Sequence, residues 1–144
     1  SKGAEVAKSI GDAAIFCDVD GTIVTNQTGY GATRYDLQTY VPIKKNIEVL
    51  KMYRARGSII VFTTARAMRY YEATRAMLDE LGFSDCQVIM ELNHAKRILV
   101  NDFAPSNPYP TSVAINLERG SDRLEAYLKL AADMPPIPGP AGTV

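Results

Sequence analysis

The sequence predicts an α/β fold, specifically a three-layer, doubly wound and mainly parallel sheet, from three observations. Short apolar runs alternate along the chain with amphipathic segments of helical period. The runs are nearly continuous, as in strands covered on both faces, and several end abruptly at a polar residue. We expect one domain over residues 1–133 and a flexible tail, rich in proline and glycine, over residues 134–144.

The predicted elements follow in a regular order. The apolar runs indicate strands at residues 13–18, 58–63, 87–90, 97–101 and 112–117. Helical spacing predicts a helix that begins at Pro42 and ends at Gly57, one over residues 67–81 that stops at Gly82, and a closing one over residues 121–132. Residues 23–41 carry glycines, threonines and tyrosines, typical of an irregular loop or a small hairpin flap.

Composition limits the partners and the compartment. The 16 basic residues balance the 16 acidic ones, which disfavours a dedicated nucleic-acid partner. The two cysteines, Cys17 and Cys86, are more simply small buried hydrophobes than a disulfide pair, which suits a reducing compartment. We find no secretory leader and no apolar run long enough to span a bilayer. We therefore expect a cytoplasmic protein that has no membrane partner.

Polar side chains end three different predicted strands: Asp18 with Asp20, Thr64, and Asp102. Because the carboxyl ends of parallel strands share one edge of a sheet, where ligands bind, we expect these side chains to meet. Two carboxylates held close together repel each other unless a cation neutralises them. A hard ion with a preference for oxygen, such as Mg²⁺, is therefore the expected cofactor.

These segments resemble the motifs of one phosphotransferase family. The segment Asp18-Val19-Asp20-Gly21-Thr22 resembles the signature of the haloacid dehalogenase superfamily. Thr64-Ala65-Arg66 resembles its second motif, Asn101-Asp102 its fourth, and Lys96 or Arg97 its third. The resemblance covers about residues 13–117 and implies a Rossmann-like fold.

The resemblance also implies a role for each position. Asp18 would be the nucleophile and Asp20 the general acid and base, while Thr64 would donate a hydrogen bond to a phosphoryl oxygen and Lys96 would neutralise charge. Mg²⁺ would bind the Asp18 side chain, the Asp20 backbone carbonyl and the Asp102 carboxylate. The candidates for substrate binding are Gly21, Thr22, Ala65, Arg66, His94 and Arg97.

Several assignments stay open on sequence grounds. Thr63 competes with Thr64, and Arg97 with Lys96, because the register of each strand is not fixed by sequence. Arg66 is either a substrate contact or a solvated helix residue, and His94 is either a substrate contact or a surface residue. A calcium loop is disfavoured because Gly29 stands at the twelfth position after Asp18, where that loop requires glutamate.

The intervals between motifs leave no room for a separate cap domain. From Asp20 to Thr64 is 44 positions and from Thr64 to Lys96 is 32, and both are largely used by the predicted elements. Either a bulky substrate or neighbouring subunits of a homo-oligomer would then close the site. The flap residues Tyr30, Arg34 and Tyr35, or the proline-rich tail, are candidates for reaching it in the same or an adjacent subunit.

The motifs and the resemblance suggest three alternative functions. The first is a Mg²⁺-dependent phosphomonoesterase, a hydrolase that acts on a small phosphorylated metabolite such as a sugar phosphate or a nucleotide. The second is a 3′-phosphatase for nucleic-acid ends. The third, from a different class, is a phospho-acceptor signalling domain, which is disfavoured because its aspartate ends the third strand rather than the first.

Overall fold

The computed structural model describes residues 12–26 and 39–139. Their strands are β1 (Ala14–Asp18), β2 (Val24–Asn26), β3 (Tyr40–Pro42), β4 (Ile59–Thr63) and β5 (Gln87–Ile89). The α-helices are α1 (Lys44–Ala55), α2 (Tyr71–Glu80), which follows a 3₁₀ turn at Met68–Tyr70, and α3 (Leu124–Ala132). The predicted α/β class is confirmed. The flap residues Tyr30, Arg34 and Tyr35 lie outside the described ranges.

A parallel sheet forms the centre of the fold. Its order is β1-β4-β5, so that β4 lies in the middle and pairs in parallel with both neighbours. The register places Asp18 opposite Thr63, and Thr63 opposite Ile89. The carboxyl ends of the three strands therefore lie side by side. Strands β2 and β3 form a separate antiparallel pair, which is the base of the predicted hairpin flap.

The core lies on one face of this sheet. Cys17, Ile60 and Phe62 belong to one buried cluster with side chains of all three helices. The rings of Phe62 and Phe83 meet edge to face at a centroid distance of 5.0 Å. Cys17 and Cys86 are both buried and free, as predicted. Burial raises the pKa of the Cys17 thiol far above its usual range, which keeps it uncharged.

The helices begin and end close to their predicted positions. Gly57 follows α1 at φ +112° and Gly82 follows α2 at φ +97°, a left-handed conformation that glycine adopts without steric cost. In α2, Thr74, Met77 and Leu78 form the buried face. No helix in the described part of the chain combines the length and apolar composition that crossing a membrane requires.

The predicted strands at residues 97–101 and 112–117 are wrong. Both segments lie within the described range 39–139 and contain no strand. Ile98, Leu99 and Val100 are 83%, 54% and 88% exposed. An apolar run becomes a strand only where a neighbour pairs with its backbone and covers its side chains. Local sequence does not supply that neighbour.

Candidate functional site

A tight loop follows β1 and carries both carboxylates of the first motif. The chain turns around the carbonyl oxygen of Val19, which accepts hydrogen bonds from the backbone N–H groups of the three residues Thr22, Ile23 and Val24 at 3.2, 3.0 and 3.3 Å. The Val19 side chain is fully buried. Gly21 takes the left-handed φ of +90° that the turn requires. The loop therefore holds Asp18 and Asp20 at the carboxyl end of β1, as predicted.

Asp18 is the exposed carboxylate of the pair. Its Oδ2 accepts a hydrogen bond from the Thr22 hydroxyl at 3.2 Å. Although Asp18 reaches solvent, the protein around its carboxyl group desolvates it, and this raises its pKa above the ordinary 3.8. The negative charge of Asp20 raises the pKa further, while the Thr22 hydrogen bond and the positive charge of Arg97 act in the opposite direction.

Asp20 is held in an ion pair with Arg66. Arg66 Nε donates to Asp20 Oδ2 at 2.9 Å, and Nη2 donates to Oδ1 at 2.8 Å. The Arg66 side chain is 2% exposed and that of Asp20 is 16% exposed. The interpretation of Arg66 as a solvated helix residue is therefore wrong, because it is buried and precedes the 3₁₀ turn and α2.

Thr64 lies directly after the end of β4 and is 1% exposed. Its backbone N–H donates to the carbonyl of Ile89 at 2.9 Å, and its hydroxyl accepts from the Arg66 N–H at 3.0 Å. The neighbouring Thr63 is half-buried and stands opposite Asp18 in the register. The expected meeting of the first and second motifs at one edge is confirmed. The hydrogen bond from Thr64 to a phosphoryl oxygen stays a prediction.

The segment of the third motif is exposed and contains Lys96, Arg97 and His94. Arg97 Nη1 donates to the carbonyls of Asn93 and Ala95 at 2.6 and 2.8 Å. Arg97 is also close enough to Asp18 for its charge to lower the pKa of that carboxyl. Which of Lys96 and Arg97 is the third-motif cation stays a prediction. The roles of Lys96 and His94 stay predictions.

Asp102 does not join the acidic pair. It follows the segment that forms no strand, and its backbone carbonyl accepts a hydrogen bond from the Thr111 hydroxyl. Across residues 12–26 and 39–139, no three histidine, cysteine, aspartate or glutamate side chains are grouped so that they could hold a metal ion. The expectation that the side chains of Asp18, Asp20 and Asp102 form one cluster is therefore wrong, and a Mg²⁺ site that uses the Asp20 backbone carbonyl stays a prediction.

Two residues that were not predicted from the sequence, Asn46 and Arg119, contact the loop that carries Asp18 and Asp20. Asn46 is fully buried, and its Nδ2 donates to the carbonyls of Thr22 and Ser121 at 2.8 and 2.7 Å. Arg119 packs over Gly21, where an added Cβ would meet its Cγ at 3.0 Å. A polar residue on the apolar stripe of α1 is a signal that points to Asn46. No sequence signal points to Arg119.

Comparison of the chain with family models, curated proteins and solved structures finds no match. The fold and the site are therefore what bears on the function. Together they define an α/β protein with an acidic pair at the carboxyl edge of a parallel sheet.

Proposed function

We propose that this protein is a phosphomonoesterase that forms an aspartyl-phosphate on Asp18. One observation carries the proposal: a rigid loop at the carboxyl end of β1 presents an exposed carboxylate on Asp18 and a second, fixed carboxylate two residues later on Asp20. This edge of an open parallel sheet is the usual place for a ligand. The balanced net charge favours a small phosphorylated metabolite, such as a sugar phosphate or a nucleotide, as the substrate.

Each carboxylate has one task in this mechanism. An Asp18 oxygen attacks phosphorus, so that an O–P bond forms while the bond to the leaving alcohol breaks. Asp20, protonated on a lone pair that the Arg66 hydrogen bonds leave open, gives this proton to the leaving oxygen. In the second half, Asp20 takes a proton from the water that attacks phosphorus, which frees inorganic phosphate and restores Asp18. Two moderate barriers replace one high barrier.

The charge balance of the site supports a requirement for cations. A phosphate monoester brings additional negative charge beside Asp18 and Asp20, where Arg66 forms an ion pair with Asp20 and the positive charge of Arg97 lowers the pKa of Asp18. We include a Mg²⁺ requirement in the proposal because the motif resemblance implies it. No step is assigned to the ion, since the described acidic residues do not complete its site.

The finer fold is part of the same proposal: a Rossmann-like domain without a separate cap. Among the described residues, the hairpin strands and α1 lie between β1 and β4, and the 3₁₀ turn and α2 lie between β4 and β5. The described residues of these two intervals, 21–26 with 39–58 and 64–86, form no second domain. The buried free cysteines support a reducing, cytoplasmic setting. An open site of this kind is closed by a bulky substrate or by a neighbouring subunit of a homo-oligomer.

A phosphate-release screen tests the proposal. Wild-type protein is assayed over a panel of phosphate esters with and without Mg²⁺, and a 3′-phosphorylated oligonucleotide is included in the panel. We expect release from small esters that depends on Mg²⁺. Asp18→Asn should remove it while the fold stays intact, and Asp12→Asn, at an exposed acid just before β1, is the matched control.

Trapping the intermediate locates the nucleophile. Acid quenching followed by borohydride reduction converts an aspartyl-phosphate to homoserine, which mass spectrometry should find at position 18. A folded Asp18→Asn protein with wild-type turnover would refute the nucleophile assignment. A stable phosphoprotein that does not turn over would indicate a signalling domain instead.

A further inference from the structure

The Arg66 guanidinium is an unusual feature at the edge of this sheet. Its side chain is 2% exposed, and its Nε and Nη2 form two parallel hydrogen bonds with the two oxygens of Asp20, at 2.9 and 2.8 Å. Such a fork fixes the plane of a carboxylate as well as its position. A single hydrogen bond would leave the carboxylate free to rotate.

Arg66 is itself held at both ends. Its Nη1 donates to the buried hydroxyl of Thr74 at 3.0 Å, and its Nη2 lies 3.8 Å from the sulfur of Met77; both residues are on α2. Its backbone N–H donates to the Thr64 hydroxyl, and its carbonyl accepts from the Glu91 N–H at 2.9 Å. The Asp20 carboxylate is thereby connected to α2 and to the end of β4.

These contacts argue against direct recognition of a substrate by Arg66. Each of its three guanidinium nitrogens already donates to a protein atom: Nε and Nη2 to Asp20, and Nη1 to Thr74. The open part of the pair is Asp20, whose side chain is 16% exposed. A substrate that enters the edge would reach the carboxylate and not the arginine behind it.

We infer that Arg66 is a positioning residue that orients the Asp20 carboxylate for proton transfer to the leaving group. The inference rests on the proposed phosphatase function. The fork uses one lone pair on each carboxylate oxygen, which leaves another lone pair on each for the proton. A general acid contributes about 10²–10⁴-fold when it is correctly placed, and small misplacements remove much of that gain.

Leaving-group dependence distinguishes positioning from general damage. Phenyl phosphate and p-nitrophenyl phosphate differ little in size, but only the nitrophenolate is stable enough to leave without an acid. We expect Arg66→Met to lower kcat/KM for phenyl phosphate by about 10²-fold or more, and for p-nitrophenyl phosphate by less than about tenfold. Arg66→Lys should fall between Arg66→Met and wild type, because an ammonium group cannot form the fork.

Arg75, on the helix α2 that anchors Arg66 through Thr74, provides the matched control. It donates to the backbone carbonyls of Cys86 and Phe83, both at 2.6 Å, so Arg75→Met removes a structural arginine that has no contact with Asp20. We expect it to lower stability without changing the ratio between the two esters. Thr74→Val is a milder test if Arg66→Met does not fold. It removes the anchor of Arg66 and should reduce the phenyl ester rate selectively by a few-fold.

Each result decides between named alternatives. Equal losses on both esters in Arg66→Met and Arg66→Lys, with the ester ratio unchanged in Thr74→Val, would overturn the positioning role and leave the phosphatase proposal intact. A wild-type protein that hydrolyses no phosphate ester would overturn the proposed function, and the catalytic part of this inference with it. In that case the stabilities of Arg66→Met, Asp20→Asn and the double variant still show whether the two residues act as a unit.

Discussion

Replacing Asn46 by alanine removes three hydrogen bonds that join the Asp18 loop to the start of α3. Asn46 Nδ2 donates to the carbonyls of Thr22 and Ser121 at 2.8 and 2.7 Å, and its Oδ1 accepts from the Leu124 N–H at 3.2 Å. Leu124 is the first residue of α3, so this N–H has no partner within its own helix. One side chain of α1 therefore satisfies groups on two other segments.

The expected loss of stability follows from these contacts. Three hydrogen bonds at roughly 1 kcal/mol each give about 3 kcal/mol. Alanine has a higher helix propensity than asparagine, and this offsets about 0.5 kcal/mol of the loss. We therefore expect Asn46→Ala to lower the free energy of unfolding by about 2–3 kcal/mol. Asn46→Asp keeps the shape but turns an oxygen toward two carbonyls, so it should destabilise at least as much.

Urea denaturation followed by circular dichroism measures this difference. Asn101→Ala is the matched control, because Asn101 is exposed and makes one observed hydrogen bond, to the Thr111 carbonyl at 3.1 Å. It should change stability by less than about 0.5 kcal/mol. Hydrogen exchange at the Leu124 amide should quicken in Asn46→Ala alone. An Asn46→Ala protein within about 0.5 kcal/mol of wild type would refute the reasoning.

Three further predictions concern stability. Burial raises the pKa of Asp18 in the folded protein above the ordinary 3.8. The contribution of Asp18 to the free energy of unfolding is therefore fully present below pH 3.8, where the carboxyl group is protonated, and is lost as pH rises through the folded pKa. Without divalent metal, Asp18→Asn should therefore be more stable than wild type at pH 7 and lose that advantage toward pH 3; equal urea midpoints at both pH values would contradict this. Gly21→Ala, at φ +90° and against Arg119, should cost about 1–3 kcal/mol, and Arg119→Ala in that background should recover part of it. Phe83→Ala, at a fully buried ring, should cost about 3–5 kcal/mol in calorimetry, whereas Phe16→Ala, at 51% exposure, should cost far less.

Local sequence predicted the elements whose signals are complete within a few residues. The apolar run before Asp18 and the run from 59 to 63 became parallel strands, and the glycines at 57 and 82 ended their helices. Residues 97–101 also contain an apolar run, Ile98 to Val100, and formed no strand. The difference is long-range, because β4 pairs with a neighbour on each side and the later segment pairs with neither edge of the sheet in the described chain.

The residues that contact the acidic loop were likewise decided by the tertiary fold. The pattern Asp18-x-Asp20-Gly21 is enough to predict two carboxylates on a turn after a strand, because strand and turn preferences are local. That Arg66 would be buried against Asp20, 46 positions away, and that Asn46 would accept from Leu124, 78 positions away, depended on how the helices pack. Side chains distant in sequence meet only after the core has closed, and so local preferences predicted the acidic loop while tertiary packing decided its partners.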